Sequence, residues 1–399
     1  MSEWEKITLG ESGTWLSGGT PSTSRPEYWG GDIPWISAAS LKDYRISRSD
    51  RMVTQEGALN GTRIVASETI LMVVRGMSLK SEFRIGIAQR QVAFGQDCKA
   101  LIARPGIRPS FLGYAIKAKT PEILSLVDEA GHGTGRLQTD RLESVEIDVP
   151  ASLDVQASIA RTLELLDDRI AVNERIAATV RQLGLALFAQ SLLEDDPVDV
   201  DVDSVSSLLT RGIAPKYSED PNDLVVLNQK CIRDGRVSLA PARLTVRETV
   251  KTPKLLQRDD ILVNSTGVGT LGRVARWTSD SRATVDSHVT IVRFDEKAVD
   301  PVSAGFAMLR AQPEIEAMGE GSTGQTELPR TQLGGLEITL PSGTRQRRLR
   351  PALDALEGRG DQALVEAQAL AALRDTLLPQ LMSGRLRVRD AEKIVEDHV

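Results

Sequence analysis

Residues 156–188 read QASIARTLELLDDRIAVNERIAATVRQLGLALF, and this stretch decides the architecture. Ile159, Leu163, Leu166, Ile170, Asn173, Ala177, Val180, Gly184 and Leu187 recur in alternating steps of four and three, the spacing that keeps one helical stripe facing a partner helix. Either Ser152 or Asp154 can cap the start. Asn173 falls on the stripe, where it either fixes the pairing register or faces solvent.

The stripe occurs twice. Sliding the chain by 191 positions lays Gly133, Leu137, Leu142, Glu146, Ile147 and Pro150 onto Gly324, Leu328, Leu333, Glu337, Ile338 and Pro341. After one deleted residue, at a shift of 190, Leu163, Leu166, Arg169, Ala177, Leu183, Leu187 and Gln190 fall on Leu353, Leu356, Arg359, Ala367, Leu373, Leu377 and Gln380. The second stripe is then Leu349, Leu353, Leu356, Gly360, Ala363, Ala367, Leu370, Arg374 and Leu377, with small residues at its middle for close helix approach. A period this long describes two copies of a globular segment followed by a helix, not a solenoid. The second copy departs from the first at Glu357-Gly-Arg-Gly360, where the first has LDDRI, and at Pro379, which threatens a kink in its last turn.

Ahead of each helix the sequence is strand-rich. TILMVVRG and FRIGIAQRQVAF in the first copy, and DLVVLNQ, DDILVNST, GRVARWT and HVTIVRF in the second, carry β-branched and aromatic residues between Gly and Asp breakers. PSFLGYAIKA, PEILSLVDEA and PVSAGFAMLRAQPEIEAM read as helices. The fold class is therefore α+β: two mixed, strand-rich domains separated by two long helices that pair as an antiparallel coiled coil, a pseudo-two-fold internal repeat. The boundaries fall at residues 1–150, 151–195, 196–342 and 343–384, with a tail at 385–399.

The net charge of −6 speaks against nucleic acid as a whole-chain property. The charge is local, however. From Arg75 to Arg108 seven bases (Arg75, Lys80, Arg84, Arg90, Lys99, Arg104, Arg108) face only Glu82 and Asp97. From Lys230 to Arg258 eight bases face only Asp234 and Glu248, while the acids concentrate in stretches such as residues 194–203, EDDPVDVDVD. Cys98 and Cys231 lie far apart without a CxxC and read as inert thiols; His132, His288 and His398 are too scattered for a triad or a metal site. Gly267, Gly269 and Gly272 form a GxGxxG, but RVARWT behind it reads as a strand, so a glycine-rich hairpin or loop replaces a dinucleotide site. GHGTGR at Gly131 lacks the Lys-Ser or Lys-Thr of a P-loop, and no Asn-Pro-Pro-Tyr-type tetrapeptide is present to hold a target adenine. The N-terminus has no basic region followed by an apolar stretch and no run of eighteen apolar residues occurs, so a cytoplasmic protein without membrane attachment is expected.

Residues 16–43, LSGGTPSTSRPEYWGGDIPWISAASLKD, resemble the opening of a target recognition domain from type I restriction-modification specificity subunits. GRLQTDRLESVEIDVP and the following helix, with LDxxIxxN at residues 166–173, are similar to that family's turn, strand and first spacer helix. TRGIAPKYS, LNQKCIRDG and DDILVNSTGVGTLGRVA resemble a second recognition-domain subtype, and LRDTLLPQLMSGRLRV resembles the closing helix. The resemblance implies a non-catalytic specificity subunit that reads an asymmetric, split duplex DNA target. It also implies two methyltransferase subunits docked on the helices and restriction subunits recruited through them. S-adenosylmethionine, ATP and magnesium would then sit on partners, with no cofactor or metal on this chain. Roughly 35 to 40 helical residues make a rod of about 55 to 60 Å, and successive major grooves on one DNA face are about 34 Å apart, so such a spacer suits two half-sites.

The candidate DNA-contacting residues are those whose amides, hydroxyls and cations match base edges and phosphates. In the first domain they are Thr20, Ser22, Trp35, Ser37, Arg75, Lys80, Arg84 and Gln89; in the second, Lys216, Tyr217, Asn228, Gln229, Lys230, Arg233, Asn264, Ser265, Thr266 and Arg273. The competing readings are a scaffold or anti-restriction protein that binds methyltransferases without reading DNA, and an enzyme such as an orphan DNA methyltransferase or a nucleotide-dependent oxidoreductase.

Overall fold

The apolar stripe of residues 156–188 forms one unbroken helix, Leu153–Leu193, and its repeat forms a second, Gly343–Met382. These elements belong to a computed structural model that describes residues 4–130, 134–194, 196–319 and 327–398. Gly133 and Gly324 of the internal repeat, His132 and the first three residues of GHGTGR lie outside the described residues. Both long helices open at a serine: Ser152 Oγ accepts from Val155 N, and Ser342 Oγ from Arg345 N, each at 3.4 Å. Ser152 rather than Asp154 is thus the cap. Pro379 does not end the second helix, which continues to Met382.

The chain forms two compact units, Met1–Val172 with Ala367–Val399, and Asn173–Glu366. The division cuts both long helices, so each unit owns half of each. In the first unit Ile159, Leu163 and Leu166 share a core with Leu370, Leu377 and Leu381, and Arg374 Nη1 bonds Asp167 Oδ1 at 2.6 Å. In the second, Phe188 shares a core with Leu353, Arg345 pairs with Glu194, and a Cβ on Gly184 would lie 2.9 Å from the Phe306 ring. The halves run antiparallel in each unit. Asn173 is 7% exposed, which settles its orientation inward. Two seam positions shift by one residue: Leu187 and Leu356 are only partly buried, while their neighbours Phe188 and Glu357 are buried. The first long helix is long and apolar enough over part of its length to cross a bilayer. Its buried apolar side chains are divided between the two cores.

The repeat extends through the globular parts, where the sequences diverge. In the first unit one sheet has the order Gly13–Ser17, Cys98–Ala103, Ile70–Val73, Ile85–Ala88, with Arg45–Ile46 added at the edge. In the second the order is Ser206–Arg211, Val289–Phe294, Ile261–Asn264, Val274–Arg276. A parallel pair follows in each: Trp29–Ile36 with Val92–Phe94, and Leu224–Leu227 with Ala283–Val285. Trp4–Thr8 pairs with Glu146–Pro150, as Val198–Asp201 pairs with Glu337–Leu340. The helix expected over PVSAGFAMLRAQPEIEAM breaks at Ala311 into Pro301–Arg310 and Gln312–Ala317, matching Pro109–Ala118 and Thr120–Ser125. The end of PEILSLVDEA is the strand Asp128–Ala130 instead of helix. The tail at 385–399 contains a helix, Val388–Glu396, whose Ala391 and Val395 enter the first core.

A buried glutamine repeats the same junction in both units. Gln156 Nε2 donates to Pro150 O at 2.8 Å and to Gly106 O at 3.0 Å, while its Oε1 accepts from Arg108 N at 2.8 Å. Gln346 Nε2 donates to Pro341 O and its Oε1 accepts from Asp300 N, both at 2.8 Å. Arg108 and Asp300 are the residues from which the helices Pro109–Ala118 and Pro301–Arg310 start. One amide therefore ties the base strand and a domain helix to the first turn of each long helix, satisfying backbone groups that burial would otherwise leave unpaired.

Candidate nucleic-acid interface

In each unit two strands of different sheets lead into loops that lie against each other. Trp29–Ile36 runs into residues 37–40, where Ser40 Oγ accepts from Ser37 N at 2.9 Å and Ser37 Oγ accepts from Ser40 N at 3.1 Å. Leu224–Leu227 runs into residues 228–231, where the Asn228 Oδ1 accepts from Lys230 N at 2.8 Å and the Cys231 Sγ accepts from Asn228 N at 3.4 Å. Beside these turns lie the loops that follow the central strands Ile70–Val73 and Ile261–Asn264. A Cβ on Gly76 would sit 3.6 Å from the Ala38 Cβ; one on Gly267 would strike Gln229 Oε1. Gly267, Gly269 and Gly272 have φ of +106°, +72° and +80°, conformations that suit glycine, and the chain then enters Val274–Arg276 as a strand.

The first unit collects cations at this place. Arg75 lies directly across an antiparallel pair from Arg136, both exposed, and Lys80 approaches Glu129 at 3.8 Å. Like charges directly opposite each other in a sheet are unfavourable by themselves. Asp128, on the far side of Arg136, is taken by Gln138 at 2.7 Å and Arg141 at 2.8 Å; the Gln138 hydrogen bond holds its carboxyl below the usual range, with Arg141 and Arg136 adding to it. Arg84 is committed inward to Glu82 at 2.9 Å and to Ala38 O at 3.2 Å.

At the same place the second unit carries hydroxyls, an imidazole and a carboxylate. Thr266 pairs across with Glu327, and its Oγ1 lies 2.7 Å from His288 Nδ1. Glu327 is held by Arg211 at 2.8 Å, and Arg273 Nη2 donates to Gly269 O at 2.8 Å. His288 N donates to Asp286 Oδ1 at 2.9 Å, while burial raises that carboxyl above the usual range. Asn264 and Ser265, offered above as DNA contacts, are 0% exposed. Asn264 instead staples the two loops, donating from Nδ2 to Gln229 O at 2.9 Å and Thr270 O at 3.1 Å; Ser265 Oγ shares a hydrogen bond with Thr290 Oγ1. Burial turns them into positioning residues, because all of Ile261–Asn264 and Ser265 after it are buried and no face of this strand alternates outward.

The remaining candidates fall elsewhere. Trp35 is 6% exposed, its Nε1 donating to Gly19 O at 3.1 Å, so it supports the loop carrying Thr20 and Ser22 instead of presenting a face. Arg51 lies 3.7 Å from the Trp29 ring centroid and 4.9 Å from that of Trp35, and Trp29 Nε1 donates to Ser22 O at 3.1 Å. Gln89 is exposed beyond the strand Ile85–Ala88 and donates to Ile87 O. Lys216 and Tyr217 lie at the Tyr217–Ser218 strand beside Arg243–Thr245, with the Arg243 guanidinium 3.5 Å from the Tyr217 ring. Lys230 is exposed, and Arg233 meets Asp234 at 3.7 Å. Sequence reasoning missed Arg51, Trp29, Arg136 and the placement of His288; the shift of 191 that relates Arg136 to Glu327 was the available signal.

Burial pushes the Cys98 thiol up to about 12 and raises that of Cys231, the condition of unreactive thiols. Among the described residues no three His, Cys, Asp or Glu side chains group as a metal site.

The sequence profile of the type I restriction modification DNA specificity domain matches residues 1–182. The specificity subunit of the Escherichia coli type I restriction enzyme EcoR124I/EcoR124II is 30% identical over 167 residues, 41% of this chain and 41% of that protein. That of the type I restriction enzyme MjaIX from Methanocaldococcus jannaschii is 31% identical over 200 residues, 49% of this chain and 45% of that protein. The chain thus spans less than half the length of the curated relatives it matches. The solved S subunit of a type I restriction-modification system from M. genitalium has a similar fold, with a TM-score of 0.59 over 96% of each chain at 17% identity.

Proposed function

We propose that this chain is a specificity subunit of the type I restriction-modification kind, as the match of residues 1–182 and the two specificity-subunit relatives support, and that it selects the DNA sequence on which partner subunits act. Each unit reads one half of a split, asymmetric duplex target through the paired loops at 37–40 and 75–80, or at 228–231 and 266–273. One observation carries this reading. The same loop position holds Arg75 opposite Arg136 in one unit and Thr266 opposite Glu327 in the other. An arginine pair suits guanine N7 and O6 or phosphate, whereas a hydroxyl and a carboxylate suit other base edges, including the cytosine amino group. A common framework with unlike chemistry at its reading position is what an asymmetric target requires.

The chain contributes no catalytic group in this proposal. Methyl transfer with S-adenosylmethionine, and ATP- and magnesium-dependent translocation and cleavage, fall to partners: two methyltransferase subunits docked on the long helices, and restriction subunits recruited through them in the cytoplasm. Genomic DNA from a host expressing this chain with a type I methyltransferase subunit, sequenced at single-molecule level for N6-methyladenine, tests the proposal. A split, asymmetric motif methylated only when the chain is present is the expected result. Methylation independent of the chain would remove the DNA-reading role and leave a methyltransferase-binding scaffold.

A further inference from the structure

An exposed apolar side chain stands at the tip of the same loop in both units. Met77 is 77% exposed and Val268 is 83% exposed, and they are 191 residues apart. Isolated exposed hydrophobic residues are ordinary on protein surfaces. Repetition at one structural position, in units whose loop sequences otherwise differ (RGMSLK against TGVGTL), is not. The equivalence is fixed by hydrogen bonds. Leu137 N donates to Val74 O at 2.9 Å and Leu328 N to Ser265 O at 2.8 Å; Arg75 then faces Arg136 as Thr266 faces Glu327; a glycine follows, and then the apolar residue.

Both tips are held firmly on polar ground. Gly135 packs so closely under the turn Met77–Lys80 that a Cβ there would lie 2.9 Å from the Leu79 Cβ. Thr270 N and Leu271 N close on Gly267 O at 3.1 and 3.0 Å, and Asn264 ties that loop down. The flanking groups are Arg75, Arg136 and Lys80 with Glu129 in one unit, and Thr266, His288 and Arg273 with Glu327 in the other. A protein-docking patch would surround an apolar tip with further apolar surface. A single apolar tip among hydrogen-bonding and cationic groups matches a DNA major groove, whose one apolar feature is the thymine 5-methyl group. Wedging between base steps uses long side chains such as Phe, Leu, Ile or Met, and Val268 is too short for it.

We propose that Met77 and Val268 are equivalent base-reading side chains, each placing its apolar tip against the 5-methyl group of a thymine in one half of the target. This rests on the DNA-reading function proposed above. Once the methylated motif is mapped, the assembled complex of full-length chain and methyltransferase is titrated with synthetic duplexes in which each thymine of the motif is replaced, one at a time, by deoxyuridine. Loss of one buried methyl weakens binding about fourfold. The expected result is one sensitive thymine per half-site. Met77→Ala abolishes the sensitivity in one half and Val268→Ala in the other, each variant binding the parent duplex about fourfold to tenfold more weakly. If the complex binds its motif specifically but no deoxyuridine effect depends on Met77 or Val268, the thymine-reading inference is overturned while the DNA-reading function stands. If the complex shows no sequence preference, both fall.

Discussion

The two units share a framework down to single hydrogen bonds, yet they fasten their long helices with different chemistry. Asp167 and Glu357 stand 190 residues apart, at equivalent positions on the two helices. In the first unit Asp167 accepts from Tyr114 Oη at 2.7 Å and Arg374 Nη1 at 2.6 Å, with Lys117 Nζ at 3.8 Å. In the second, Glu357 pairs with Arg276, which also bonds Asp259 at 3.1 Å and Asp354 at 2.9 Å, and Arg350 bridges Asp259 at 3.1 Å and Asp300 at 2.9 Å. Gly360 leaves room for the Arg236 guanidinium, which pairs with Asp361. The Glu357-Gly-Arg-Gly360 departure is therefore a socket for two arginines of the second unit. Backbone topology and the glutamine junctions preserve the architecture, while the acid on each helix is free to change partners with the domain it holds.

The comparison can be broken most severely at Arg276, whose side chain is 1% exposed. Arg276→Met strands Glu357 as a buried charge, leaves Asp259 to Arg350 alone, and is expected to destabilise the second unit by about 3–5 kcal/mol. Denaturant unfolding of the full chain, followed by probes in each unit, would show this as an early transition confined to the second. Restoration of most of the loss by adding Glu357→Leu would assign the effect to unpaired charge and not to lost packing.

A smaller loss distinguishes the two junctions. Gln156→Leu removes three hydrogen bonds and Gln346→Leu two. At roughly 1 kcal/mol for each bond lost between buried groups, Gln156→Leu is expected to cost about 3 kcal/mol and Gln346→Leu about 2. Thermal or urea unfolding of the two variants measures the ranking, and equal losses would show that the Gly106 bond contributes nothing.

The smallest contrast is in pH. Desolvation raises the carboxyl of Asp259 above the usual range, outweighing Arg276 and Arg350, whereas hydrogen bonding lowers that of partly exposed Asp128. Folded Asp259 binds a proton more readily than the unfolded chain, so its contribution to stability grows as pH falls from its raised folded value towards its ordinary value and is lost as pH rises through the folded value. Asp128 contributes above its ordinary value and loses that contribution as pH falls through its lowered folded value. Carboxyl carbon NMR should find Asp259 taking up its proton at a higher pH than Asp128. The reverse order would mean that the arginines around Asp259 dominate its burial.

Much of the fold was legible. The helical seam, the shift of 191 and the strand runs bounded by glycine depend on local spacing, and they recovered both long helices and the principal strands. Helix ends and the break at Ala311 were not, because capping and helix termination turn on one or two hydrogen bonds that several nearby residues could supply. The interface was legible only as a region. Arg75, Thr266, Gln229 and Arg273 do lie on the converging loops, but Asn264, Ser265 and Trp35 are turned inward.

By itself the sequence determined two globular copies and two long helices, because apolar periodicity and repetition are properties of neighbouring residues along the chain. Only the tertiary structure decided which polar groups are structural and which face outward. Asn264 is buried because Gln229 and Thr270 receive its amide; Arg276 is buried because Asp354 and Glu357 await it some eighty residues on; Met77 and Val268 are exposed because strands far away in sequence set the direction of their loops. Burial of a polar or charged group is decided by whether distant partners repay its lost hydration, and no local spacing records those partners.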